Sequence, residues 1–331
     1  MKPAFIVGQY KSGSTWLLHL LSLHPDIRGV NETHVFQAFD PRLSIADWVD
    51  RMFTKVPWAE GGFDNRRRYL VRRFLLELGH RGIYGLPRSA RPLNLHDVPP
   101  RRARQLAREL RGLTDPADLC RTFLEALKDE AGLATYLLEK TPEHIRHVDD
   151  IRAVFPDAKL LSIYRDGRDV VVSDQHFIKD VLNLRKGFGG SCKRWRLETR
   201  LLLEAREKHG VHCVSYEGLQ ADGDRVVTDI LNYLQLPHSP DMVREMLERS
   251  SFEFMTGRKR GIEKVGGFNR KGVVGDWRSH FTLEDAETFQ RICGDDLVAL
   301  GYEANSGWVA SHQPTRVGDT FESGREQLHG R

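Results

Sequence analysis

Residues 8–15 read Gly-Gln-Tyr-Lys-Ser-Gly-Ser-Thr and place one cation, three aliphatic hydroxyls and two glycines directly before a helical pattern at Trp16–Leu23. Such a loop suits an anion. Backbone N–H groups converge at the helix N-terminus, whose dipole adds about half a positive charge. Lys11 adds a full charge, and Ser12, Ser14 and Thr15 add donors. The magnesium-nucleotide pattern GxxxxGK[ST] needs its lysine directly after the second glycine, whereas Lys11 precedes Gly13 by two positions. An ordinary strand–turn–helix with a surface lysine is the plainer alternative. Three further groupings could do chemistry. Glu32 and His34 stand two apart, a spacing that puts both side chains on one face of a strand. Arg165 and Ser173 stand eight apart across a turn. Arg270-Lys271-Gly272-Val273-Val274-Gly275-Asp276-Trp277 combines charge with glycines that let a backbone approach an anion.

These residues need elements to hold them at one edge. Ala4–Val7 is an apolar run of strand type, and Ile27–Phe36 is expected to form a second strand parallel to it, delivering Glu32 and His34. Ala134–Pro142 and Ala158–Arg165 read as further buried strands, with a helix at about 143–154 between them. A helix from near Val170 carries Ser173, 191–208 is an amphipathic helix, and Val211–Glu217 is the last clear strand. Strand–helix alternation implies an α/β fold, a three-layer sandwich with a central, mostly parallel sheet. Ligands of such sheets bind at the carboxyl ends of the strands, where Arg165 lies. Residues 41–135 read as a helical insertion rich in arginine, with Arg66–Arg68, Arg72, Arg73, Arg101, Arg102, Arg104, Arg108 and Arg111. Either these arginines form a solvated face or the insertion caps an acceptor site and draws in anions.

The motifs together resemble the P-loop-like sulfotransferases that use 3′-phosphoadenosine 5′-phosphosulfate (PAPS). KSGSTW resembles their 5′-phosphosulfate loop, which implies contacts from Lys11, Ser12, Gly13, Ser14, Thr15 and Trp16. YRDGRDVVVS resembles the 3′-phosphate motif, with Arg165 and Ser173 as ligands. VSYEGL resembles the strand whose tyrosine, here Tyr216, lies against adenine, and Phe252 is assigned to the nucleotide in the same way. RKGVVGDW matches the cytosolic RKGxxGDW signature, which brings in Arg270, Lys271 and Gly272. LLHLLSLHPDIRGVNETHVFQAFD resembles the glycosaminoglycan-type branch, in which a glutamate about twenty residues beyond the loop lysine is the base. Glu32 stands 21 positions beyond Lys11. The histidine position of the small-molecule branch, two residues after the lysine of Glu-Lys-Thr-Pro, is Pro142 here, and His144 is off register. The base assignment therefore falls on Glu32, with His34 and Lys140 assisting. The resemblance covers residues 3 to about 290. It implies transfer of a sulfuryl group from PAPS to a hydroxyl, or an amine, of a carbohydrate, lipid or small-molecule acceptor, without a metal. A small-molecule kinase and a non-catalytic adenosine-bisphosphate-binding protein stay open as other classes.

The whole chain is compatible with this. Its 331 residues, 40% hydrophobic and 29% charged, can bury a substantial core. A net charge of +4 fits an anionic ligand and does not call for nucleic acid. Four dispersed cysteines without a CxxC pair argue against a zinc site and a disulfide framework, and suit a reducing, cytoplasmic setting. No apolar run reaches the length of a membrane span. Residues 1–303 read as one sulfotransferase domain and 304–331 as a polar, disordered tail. Arg278–Leu283 with Glu287 loosely resembles the short dimer motif of the cytosolic branch, implying a weak homodimer.

Overall fold

The computed structural model describes residues 1–54, 92, 93, 98, 100–129, 133–177, 187–262 and 271–312. Its elements in order are β1 (Lys2–Ile6), α1 (Ser14–Leu21), β2 (Ile27–Asn31), a 3₁₀ turn (Val35–Phe39), α2 (Ile45–Thr54), α3 (Pro100–Arg111), α4 (Pro116–Asp129) and β3 (Tyr136–Lys140). A second 3₁₀ turn (Pro142–His147), α5 (Val148–Val154), β4 (Lys159–Tyr164), α6 (Gly167–His176), α7 (Phe188–His209) and β5 (His212–Ser215) follow. Then come α8 (Tyr216–Ala221), α9 (Gly223–Leu234), α10 (Pro240–Arg249), α11 (Phe252–Thr256), a third 3₁₀ turn (Asp276–Ser279), α12 (Leu283–Ala299) and α13 (Trp308–Ser311). The chain divides into two compact units, Met1–Arg165 with Leu197–Lys264 and Asp166–Arg196 with Val265–Arg331.

The first unit holds an all-parallel five-stranded sheet in the order β2-β3-β1-β4-β5. Both faces are covered, which is why β1 reads as an unbroken apolar run. Ala4 and Ile6 enter a core with Leu17, Leu21, Val227 and Ile230, while Phe5 and Val7 enter another with Phe36, Phe123 and Ile151. From β1 the chain steps to one side for β2 and later to the other for β4, so the order reverses at β1. The crevice at such a switch point, beyond the carboxyl ends of the strands, is where open α/β sheets bind ligands. Register aligns that edge: Lys140 pairs with Ile6 on one side and Asn31 on the other. The loop after β1, Glu32 after β2 and Lys140 at the end of β3 thus arise at one level.

The expected second strand is too long by five residues. It ends at Asn31 because Glu32 and His34 adopt left-handed backbone angles, φ 42° and 54°, which no ladder accepts. Glu32 and His34 therefore do not share a strand face, and Val35–Phe39 is a 3₁₀ turn. Tyr216 likewise begins α8 rather than continuing β5, because Ser215 caps that helix by accepting from Gly218 N–H. On α3, Leu106 and Leu110 are buried while Arg101, Arg104, Arg108 and Arg111 are exposed. Arg66–Arg68, Arg72 and Arg73 lie outside the described residues.

The second unit has its own core of Val171, Cys192, Trp195, Trp277, Phe289 and Trp308. Arg168 is buried there, its guanidinium 4.0 Å from the Trp277 ring and 4.7 Å from the Trp308 ring. Asp166 and Glu303 neutralise it. A disordered tail from residue 304 is therefore not what the described part shows: Trp308 on α13 is buried in this core, and residues 313–331 lie outside the description. In the segment resembling a dimer motif, Phe281 is core and Thr282 forms a reciprocal capping box with Asp285 on α12. Among the described residues no helix is long and apolar enough to cross a membrane.

Candidate active site

The loop after β1 is braced from below. Val7 N–H donates to Leu161 O at 2.9 Å and Gly8 N–H to Pro142 O at 3.1 Å, extending the sheet past β1. Gln9 is buried; its Nε2 donates to Thr199 Oγ1 at 2.7 Å and its Oε1 accepts from Arg165 N–H at 3.1 Å. Tyr10 N–H donates to Glu198 Oε2 at 2.9 Å, and Ser12 Oγ donates to Gln9 O at 2.8 Å. Ser12 thus uses its hydroxyl within the loop. Lys11 (φ 62°) and Gly13 (φ 103°) are both left-handed, so the chain turns sharply into the N-terminus of α1. That geometry turns successive N–H groups toward one side, an anion-binding concavity.

Gly13 is required twice over. A Cβ there would stand 2.7 Å from the Tyr216 ring, and a side chain resists its φ. Gly13→Ala is expected to cost about 1–3 kcal/mol and to weaken anion binding. Denaturant unfolding and nucleotide titration of the variant check this; unchanged values in both would refute it.

Glu32, Lys140 and Thr15 meet directly. Lys140 is fully buried, and its Nζ donates to Glu32 Oε1 at 2.6 Å and to Thr15 Oγ1 at 3.2 Å. One ammonium therefore links the first turn of α1 to the carboxylate. Burial pushes the Glu32 pKa up, but the Lys140 charge and hydrogen bond, helped by His34, outweigh it and hold it below its ordinary 4.5. Glu32 is accordingly ionised through the neutral range. His34 follows with its ring Nδ1 3.3 Å from Gln37 Nε2 and its carbonyl accepting from Trp48 Nε1 at 3.1 Å. Burial lowers its pKa below 6.5, against the pull of Glu143 and Glu32. His34 is thus neutral near pH 7.

Tyr216 is buried in a cluster. Its ring meets Trp16 edge-on at 5.3 Å, and the Arg165 guanidinium lies 4.3 Å from its centroid. The tyrosine thus orients Arg165, on the far side of β1 from Glu32. Phe252 opens α11, with Arg258 5.1 Å from its ring. In the second unit Ser173 is half-buried on α6. Asp169, from the same helix, accepts from Gly275 N–H at 2.8 Å and Trp277 N–H at 2.9 Å. This carboxylate ties the glycine-rich loop to the helix of Ser173. Gly272 is left-handed (φ 67°), and Lys271 Nζ lies 3.2 Å from Asp276. Arg270 lies outside the described residues.

The family profile described as Sulfotransferase domain matches residues 2–301. The chain belongs to this family. It is 28% identical over 167 residues to sulfotransferase 2A1 of Homo sapiens, covering 44% of this chain and 59% of that protein. It is 31% identical over 156 residues to the 3-beta-hydroxysteroid sulfotransferase of Cavia porcellus, covering 41% and 54%. The chain thus spans little more than half the length of these curated relatives. Among solved structures, the sulfotransferase domain of the Synechococcus PCC 7002 olefin synthase superposes with a TM-score of 0.52 at 21% identity, covering 88% of this chain and 94% of that one. At that identity the likeness concerns the fold, a P-loop-like sulfotransferase fold.

Several residues that support this site were not singled out in the sequence. Gln9 and Glu198 brace the loop, Asp169 the glycine-rich segment, and Glu139 with Thr33 and Thr141 the residues around Glu32. The available signal was polar side chains inside otherwise apolar strand ends. A buried polar group must find a partner, so Gln9 and Glu139 mark places where the backbone leaves the ladder.

Proposed function

We propose that this sulfotransferase moves the sulfuryl group of PAPS to a hydroxyl of a carbohydrate, lipid or small-molecule acceptor, releasing adenosine 3′,5′-bisphosphate. The carrying observation is the Lys140 bridge, which joins Thr15 of the anion loop to Glu32 through one nitrogen. Anion loop and carboxylate are thereby adjacent, as a transfer between a phosphate and an alcohol requires.

When bound, PAPS supplies a sulfuryl group on a phosphate leaving group. Lys11 and the N–H groups at the start of α1 neutralise the charge that grows on that phosphate. Glu32 accepts the acceptor's hydroxyl proton as its oxygen bonds to sulfur. An ionised carboxylate of low pKa is a weak base for an alcohol, so the proton moves late, as the oxygen becomes acidic. Lys140 holds Glu32 in place and balances its charge before transfer. Neutral His34 offers a second polar contact for the acceptor. Arg165, Ser173, Lys271 and Gly272, with Arg270, are assigned to the 3′-phosphate, where an arginine fork grips bidentately. Trp16, Tyr216 and Phe252 are assigned to the nucleoside.

Ligand-dependent melting tests the reading. Adenosine 3′,5′-bisphosphate at a hundred times its Kd is expected to stabilise the protein by about 2.7 kcal/mol, and ATP with magnesium to do far less. The reverse order would favour a kinase. Mass spectrometry of acceptors incubated with PAPS then separates catalysis from binding alone. The panel begins with steroid alcohols, after the Cavia porcellus relative, and includes sugar hydroxyls and phenols.

A further inference from the structure

The residues that carry Glu32 and His34 hang from a single buried carboxylate. Glu139 sits on β3 with its side chain 1% exposed, directly before Lys140. Its Oε1 accepts from Thr33 N–H at 3.0 Å, from Thr33 Oγ at 2.9 Å and from Thr141 Oγ at 2.6 Å. Its Oε2 lies 3.1 Å from His144 Nδ1. Each of those partners holds one more amide. Thr141 Oγ1 accepts from His34 N–H at 3.2 Å, Thr33 Oγ1 from Val35 N–H at 3.2 Å, and His144 Nε2 from Phe36 N–H at 3.3 Å. Four consecutive amides, 33 to 36, are thus satisfied by Glu139 directly or through one intervening side chain.

We propose that Glu139 is a positioning residue for transfer: its carboxylate shapes the 32–36 turn and so aims Glu32 and His34 at the acceptor.

Two features of the turn explain why a charge is needed. Glu32 and His34 are both left-handed without being glycine, each a conformation that survives only where its surroundings enforce it. In addition, every group facing Glu139 is a donor. His144 Nε2 accepts from Phe36 N–H, so the ring proton is on Nδ1 and points at Glu139. An amide at 139 keeps one oxygen for the threonines but turns N–H₂ toward the ring. Either two donors then face each other, or the ring shifts its proton to Nε2 and opposes Phe36 N–H. The relay fails at one end in both cases. His144, two residues beyond the position of the other branch's histidine, is one of its arms.

This inference rests on reading Glu32 as the base, and the test keeps the two apart. Glu139→Gln is measured for kcat, for KM toward PAPS and acceptor, and for amide hydrogen exchange. Misaiming by an ångström can cost about 10²-fold in rate, so kcat is expected to fall about 10–100-fold with KM for PAPS unchanged. Amides 33–36 should lose protection while those of α1 keep it. Combined with Glu32→Gln, the Glu139 change should add little further loss in kcat, because it acts through Glu32. Equal losses in both backgrounds, or a normal kcat with the turn deprotected, would overturn the proposal. Should Glu139→Gln not fold, Thr141→Val removes one arm and leaves the carboxylate; it should deprotect His34 and lower kcat more mildly, and Thr141→Ser should restore both. If Glu32→Gln alone is fully active, the base reading fails. Glu139 is then decided by whether kcat and the protection of 33–36 fall together.

Discussion

Glu32→Gln should lower kcat by about 10²-fold or more, the usual scale for losing a general base, while affinity for adenosine 3′,5′-bisphosphate stays within a factor of a few. The amide keeps the shape of the side chain and a contact to Lys140, but it cannot take a proton from an alcohol. The Lys140 charge and hydrogen bond hold the Glu32 pKa below its ordinary 4.5 despite burial, so the proposed base is charged across the neutral range and its titration should not appear between pH 6 and 8. Two neighbours sharpen the assignment. His34→Ala should be milder, since a neutral imidazole positions the acceptor without receiving its proton. Pro142 has no titratable group, which removes the other branch's base. Near-normal turnover in Glu32→Gln, together with collapse in His34→Ala, would transfer the role to the histidine.

Lys11→Ala comes second. In the proposed reaction the charge that Lys11 meets grows only as the sulfuryl group leaves, so its removal should reduce kcat by about 10²–10³-fold, with a smaller effect on KM for PAPS. Lys11 is already left-handed, and alanine adopts that backbone no worse than lysine, so the fold should be spared. Arg270→Ala is expected to behave oppositely, weakening PAPS binding because the 3′-phosphate does not change during reaction. Steady-state kinetics of the two variants decide the matter. A Lys11→Ala defect confined to KM would mean that the lysine grips the ground state alone.

Much of this was legible along the chain because the determining patterns are local. A strand, a Gly/Ser loop and a helix announce an anion site through composition and period alone, and the contiguous motifs around Lys11, Arg165 and Lys271 carried the family. Strand–helix alternation implied a three-layer α/β fold with a mostly parallel sheet. Glu32 was singled out through the resemblance of its segment to the glycosaminoglycan-type branch.

Tertiary structure decided what local pattern could not. The alternation of residues 27–36 looks like a strand to its end, yet hydrogen-bond partners more than a hundred residues away, Glu139, Thr141 and His144, take the amides of 33, 34 and 36 out of the ladder. The pairing of Lys140 with both Glu32 and Thr15 follows from β1, β2 and β3 lying side by side, an order in which β3 inserts between strands that precede it. Trp308 looks like an isolated aromatic in a polar tail until the ring of Trp277 and the cation of Arg168 meet it. In each case the deciding partner is remote in sequence, and only folding brings it within reach of a hydrogen bond or a ring face.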